Sequence, residues 1–92
     1  MSVRVKIPTP LRKLAGGSDA VEVDGKTVAE VLDALEAKHP GFKAKLLDDA
    51  GQLRRFVNVY YGDEDVRFLD GLATEVADGA ELSIVPAIAG GR

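Results

Sequence analysis

The stretch TVAEVLDALEAKHPG, residues 27–41, decides the fold. Thr27 stands three residues before Glu30, the spacing of a capping box, in which the threonine hydroxyl accepts an early backbone N–H and the glutamate reaches back to the cap's own N–H. From there Val28, Val31, Leu32 and Leu35 recur at i, i+3, i+4 and i+7, whereas Asp33, Glu36 and Lys38 fall elsewhere. The helix therefore carries one apolar stripe and must lay it on something. His39, Pro40 and Gly41 end it, because the residue before proline is pushed out of helical geometry. Phe42, Leu46 and Leu47 predict a second short helical turn.

Strand patterns flank this helix. In SVRVKIP, residues 2–8, Val3, Val5 and Ile7 alternate with Arg4 and Lys6, the period of a half-buried strand. Pro8 and Pro10 end it, and a connection to Ser18 carries Leu11 and Leu14 among basic and glycine residues. Val21 and Val23 then alternate with Glu22 and Asp24 before a turn at Asp24 and Gly25, which predicts a hairpin with a long connection. Downstream, RRFVNVYY, residues 54–61, is rich in β-branched and aromatic side chains, as an inner strand is. A turn over 62–65, a short strand VRF and a last strand ELSIVP at 81–86 complete the order.

One main helix covers one face of a mixed sheet in this arrangement, an α+β chain of the β-grasp type. The other face of the sheet needs its own account. With Val57 and Val59 directed inward, Phe56, Asn58 and Tyr60 lie on the open face beside Val85, and an exposed aromatic and aliphatic patch there suggests a docking surface. The alternative is that the connection over 8–18 or the segment 42–50 folds across it.

Size and composition bound the function. A chain of 92 residues suits one compact domain, though a domain this short buries only about 60–65% of the surface it exposes when unfolded. Apolar residues make up 46% and charged residues 29%, ordinary for a globular protein, and no apolar run approaches the roughly 20 residues that span a bilayer. The first residues lack the continuous apolar stretch of a secretory signal, so the expectation is a cytoplasmic domain with no membrane role. Cysteine is absent, which removes disulfides, thiolate metal sites and thiol nucleophiles together. Net charge is −3 with scattered basic residues, the wrong footprint for binding nucleic acid.

Laid out in this way, the chain resembles the ubiquitin-like sulfur carriers of the MoaD/ThiS family, and most closely their CysO-like branch. The likeness runs through the opening strand and LRKLAGG, the TVAEVLDALEAKHPG helix, the RFVNVYYGDEDVRF block and the ending LDGLATEVADGAELSIVPAIAGG. It implies a β-grasp domain over residues 1–86 and a flexible diglycine tail over 87–92, made of Ala87, Ile88, Ala89, Gly90, Gly91 and Arg92. It further implies that the chain is not an enzyme and binds no cofactor or metal itself. An E1-like adenylyltransferase of the MoeB/ThiF kind would use ATP to adenylate the Gly91 carboxylate, which then becomes a thiocarboxylate. The sulfur would pass to an acceptor such as a cysteine synthase of the PLP type. Arg92 departs from the simplest family pattern, since Gly91 owns no carboxylate while Arg92 follows it. By resemblance a metalloprotease removes such a residue; an added residue or a tail that no longer carries sulfur are the other readings. Two further functions share the fold: the small subunit of molybdopterin synthase, and a protein modifier joined to targets through Gly91.

Other constellations have plainer readings. Asp63, Glu64 and Asp65 lack the spacing of a calcium loop and read as a solvated turn. Gly16 and Gly17 after Arg12 and Lys13 do not have P-loop spacing and read as a flexible loop. His39 reads as the end of the helix rather than a catalyst. Arg54, Arg55 and Arg67 could meet an acidic partner, although surface arginines are commonplace.

Overall fold

A computed structural model of the chain describes residues 2–55 and 57–86. Its strands are β1 (Val3–Lys6), β2 (Ala20–Val23), β3 (Val57–Tyr61), β4 (Glu64–Asp65) and β5 (Glu81–Pro86), and its α-helices are α1 (Val28–Lys38) and α2 (Phe42–Leu46). They build one five-stranded sheet in the order β2-β1-β5-β3-β4. β1 and β5 run parallel in the middle, while the β1–β2, β3–β5 and β3–β4 pairs are antiparallel, so the sheet is mixed.

The period-two patterns place the core. Val3 and Val5 of β1, Val21 and Val23 of β2, Val57 and Val59 of β3, and Leu82 and Ile84 of β5 are all buried on one side of the sheet. Val28, Val31, Leu32 and Leu35 of α1 are buried against them in the same core cluster. Each fully buried aliphatic side chain contributes about 1.5–3 kcal/mol of transfer free energy, and this small core has few other resources. Phe42 and Leu46 of α2, both completely buried, extend the cluster past the end of α1. His39 closes α1 by donating its N–H to the Leu35 carbonyl at 2.7 Å, and its ring meets Phe42 edge-on at 6.4 Å between centroids.

The helix cap forms with one difference from the sequence expectation. The Thr27 hydroxyl accepts the Glu30 N–H at 3.2 Å, but the Glu30 carboxylate takes the N–H of Lys26 at 3.0 Å rather than that of Thr27. The bridge between Thr27 and Glu75 just beside it is closed by their neighbours, the Val28 N–H donating to the Thr74 carbonyl at 3.0 Å and the Val76 N–H to the Lys26 carbonyl at 2.8 Å. Gly25 is needed just upstream for a different reason: a Cβ built there would come within 2.8 Å of both the Val31 side chain and its backbone nitrogen. The turn before the helix thus lies directly on the helix's own first turns.

Beyond α1, a carboxylate organises the junction of the two helices. Glu36 accepts the N–H groups of Gly41 at 3.1 Å and Lys43 at 2.9 Å, which tethers the start of α2 to the last turns of α1. These backbone donors, that of Lys43 first and that of Gly41 next, hold the Glu36 carboxyl below its usual range. The Lys43 ammonium lies 2.6 Å from Asp33, and that hydrogen bond and charge raise its pKa.

Three expectations about local structure are corrected. The connection after β1 is not simply a flexible loop: Thr9–Ala15 forms a 3-10 helix with proline in its first turn, and Gly16 closes it at φ 66°. Val66–Phe68 is a 3-10 turn rather than a strand, because the Asp65 carboxylate accepts the Arg67 N–H and curls the chain. β3 begins at Val57, so Arg54 and Arg55 precede the strand. The segment before it is drawn off by the Arg54 N–H, which donates to the Leu46 carbonyl at 2.9 Å.

Candidate functional site

The site is built from the end of β5 and the sheet face turned away from α1. β5 is the central strand, hydrogen-bonded on both edges, and Pro86 stands opposite Val57 at the start of β3. β1 pairs with β5 over Glu81–Ser83, and β3 alone follows it to Pro86, the point from which the chain continues toward Ala87, Ile88, Ala89, Gly90, Gly91 and Arg92. Those tail residues, and Phe56, lie outside the described residues.

The remaining predicted face residues come together. Asn58 and Val85 are directly opposed across β3 and β5, and Tyr60 is opposed to Ser83 in the same register. Alternation explains this: Val57, Val59, Leu82 and Ile84 take the inner side, which leaves the intervening positions outside. Val85 is 42% exposed, a high value for a valine on a central strand. Arg4 and Lys6 of β1 share this face beyond β5, opposite Glu81 and Ser83 respectively.

Neither segment proposed as a cover for this face serves as one. Phe42 and Leu46 enter the core beside α1, and Leu14, in the connection after β1, lies against Gly41 at the end of that helix. Both segments thus build the helix side. Among the described residues the open face is an apolar and polar strip, Asn58, Tyr60, Ser83 and Val85, flanked by basic β1 side chains.

One contact was not legible in the sequence. Arg67, in the 3-10 turn after β4, donates from Nη1 to the Asn58 side-chain oxygen at 2.7 Å and from Nη2 to the Arg54 carbonyl at 2.5 Å. It fastens the turn to the start of β3 and fixes Asn58 on the open face. Phe68 follows it and is 83% exposed, an aromatic that the strand reading of VRF obscured.

The helix side offers a groove of about 470 Å³ floored by Ala29, Leu32, Leu47 and Leu72. Of its charged lining, Lys43 is engaged with Asp33, Asp48 with the N–H groups of Ala50 and Gln52, and Arg54 with the Ala44 carbonyl, which leaves Asp49. No convergent set of free polar groups marks it as a reaction site. Among the described residues no group of histidine and carboxylate side chains is placed to hold a metal ion, and no helix is long and apolar enough to cross a membrane. The Arg12 guanidinium, considered beside Gly16 and Gly17, donates to the Ile7 carbonyl at 3.0 Å.

Known proteins share this arrangement. The sequence profile of the ThiS family matches residues 5–91. The sulfur carrier protein CysO of Mycobacterium tuberculosis is 50% identical over 93 aligned residues, covering 99% of this chain and 100% of the relative. Small archaeal modifier protein 3 of Haloferax volcanii is 41% identical over 68 residues, 74% of this chain and 73% of its own. Among solved structures, that of the Amycolatopsis orientalis BexX/CysO complex contains a chain superposing with a TM-score of 0.89 at 52% identity, over 92% of this chain and 94% of that one. The β-grasp architecture expected from the order of strands and helix is thus shared with these carriers.

Proposed function

The chain belongs to the ThiS family, and on that premise we propose that it is a sulfur carrier whose working group is the main-chain carboxylate of Gly91, exposed by removal of Arg92. The observation that carries this reading is the end-to-end likeness to CysO joined to the position of β5, a central strand that delivers the chain to Pro86 with a diglycine still ahead. In this reading the body, residues 1–86, is a rigid handle and not an enzyme, and residues 87–92 are the tail.

The chemistry needs activation from outside. A carboxylate is a poor electrophile until one oxygen becomes a leaving group. One Gly91 oxygen attacks the α-phosphorus of ATP and releases pyrophosphate, giving an acyl adenylate. A hydrosulfide sulfur then attacks the carbonyl carbon, loses its proton and expels AMP, which carries off the original oxygen. The product is a thiocarboxylate. ATP belongs to an E1-like partner in this scheme, and the chain itself holds no cofactor. The relative in a BexX/CysO complex is a carrier seen with a partner, and a sulfur-accepting enzyme such as a PLP-dependent cysteine synthase fills the later role here.

The residues suit an inserted tail. Residues 87–91, extended at about 3.3–3.6 Å each, reach roughly 17 Å from the sheet, and glycines without Cβ allow close approach to a nucleotide. Ordering such a tail costs about 1–2 kcal/mol per residue. The face of Asn58, Tyr60 and Val85, with Phe56, supplies docking affinity that glycines cannot. ATP–pyrophosphate exchange by the adenylating partner tests the scheme: the chain ending at Gly91 should support it and the chain retaining Arg92 should not. Equal exchange from both chains would remove Gly91 from the mechanism.

A second reading has its own support in the likeness to the small archaeal modifier protein. The same activated Gly91 would then be joined to lysine side chains of target proteins. Covalent high-mass conjugates in cells, lost when Gly91 is replaced, are its signature.

A further inference from the structure

The chain carries a net −3, yet Arg54, Arg55 and Arg67 gather around the start of β3, where Val57 faces Pro86. All three are exposed, and none forms an ion pair among the described residues. Arg54 and Arg67 are held by neutral carbonyl and amide oxygens, those of Ala44, Arg54 and Asn58, which orient their guanidinium groups without cancelling their charge. Arg55 makes no side-chain contact of this kind among the described residues. Half-buried Leu53 floors two adjoining concavities, one of about 370 Å³ bounded by Arg54 and Arg55 and one of about 290 Å³ bounded by Arg67. The nearby carboxylates of Asp48 and Asp65 accept backbone N–H groups instead, those of Ala50 and Gln52 and that of Arg67. Phe68, 83% exposed, stands next to Arg67.

Uncancelled, pre-oriented guanidinium groups around an apolar floor are a recognition surface for carboxylates. We propose that Arg54, Arg55 and Arg67 form a cationic collar at the root of the tail, and that it docks on an acidic protein surface framing the channel that admits the tail. Gly91 follows Pro86 by five residues, a length that would span roughly 17 Å if fully extended. The collar's role is to steer the acidic rim onto the correct end of an otherwise acidic molecule and to set the tail in register. This rests on the carrier reading for the identity of the partner, but the collar's preference for carboxylates is testable without it.

The first test titrates the isotope-labelled full chain with hexaglutamate as the probe. Shifts concentrated at Arg54, Arg55 and Arg67, abolished by high salt and weakened about three- to tenfold by Arg55→Glu, are expected. Shifts spread evenly over all basic residues, shifts centred on Arg4 and Lys6, or a single-stranded oligonucleotide that outcompetes the peptide would each overturn the proposal. The second test uses the adenylating partner: Arg55→Glu should raise the apparent KM about three- to tenfold at low salt with kcat unchanged, and Lys26→Glu, the same charge change elsewhere, should not. Equal effects of the two substitutions would also overturn it. Failure of the unmodified Gly91-ending chain to be adenylated at all would instead strike the carrier reading, and the peptide titration would still decide the collar.

Discussion

Replacing Val85 by alanine separates docking from folding, because the side chain is part buried and part free. The substitution removes two methyl groups, about 1.6 kcal/mol on complete transfer from water at about 0.8 kcal/mol each. Since Val85 is 42% exposed in the free chain, docking has about 0.7 kcal/mol of this still to recover, and about 0.9 kcal/mol is already realised in the fold. The first share corresponds to about a threefold rise in the apparent KM of the Gly91-ending chain for its adenylating partner. The second corresponds to a fall of about 4–7 °C in the thermal midpoint. ATP–pyrophosphate exchange measured against carrier concentration reads the first share, and thermal unfolding without partner reads the second. A lowered midpoint with unchanged KM would refute the idea that this face is buried on docking. A fall in kcat at constant KM would do so too, since nothing at Val85 touches the reacting carbonyl.

Three further substitutions test the frame that holds the face. Thr27→Ala removes the hydroxyl that accepts the Glu30 N–H and is expected to cost about 1 kcal/mol in urea unfolding, with Thr27→Ser close to the parent. Gly25→Ala forces a Cβ toward the Val31 backbone nitrogen and should cost about 1–3 kcal/mol; a neutral result would mean that the turn does not lie on the helix as described. Glu36 binds its proton more weakly when folded, because the Lys43 and Gly41 N–H groups favour its carboxylate. Its contribution is therefore present above the unfolded carboxylate pKa and lost as pH falls through the lower folded one. In Glu36→Gln, stability should fall less steeply on acidification than in the parent, and identical slopes would contradict the assigned tether.

How much of this was legible follows from the range of each interaction. α1 could be read because its stripe and its cap are local, spanning residues 27–38, and the inner and outer sides of β3 and β5 followed from alternation alone. The turn at Val66–Phe68 could not, since VRF alternates like a strand and only the Asp65 carboxylate taking the Arg67 N–H reveals the curl. The Glu30 bond to Lys26 instead of Thr27 could not be read either, since the spacing of a capping box does not say which of two neighbouring N–H groups the carboxylate takes. The arginine collar is the same case at the functional end. Arg54, Arg55 and Arg67 were visible as residues, but their common place beside Pro86 required the pairing of β3 with β5 and the reach of Arg67 to Asn58.

The central claim is that sulfur is carried on the last main-chain carbonyl of Gly91. Intact-mass measurement of the Gly91-ending chain, after incubation with its adenylating partner, ATP and a sulfur source, tests it most directly. A gain of about 16 Da, one oxygen replaced by sulfur, is expected, with fragmentation placing it on Gly91. An unchanged mass despite demonstrated adenylate formation, or a sulfur located on any other residue, would contradict the account.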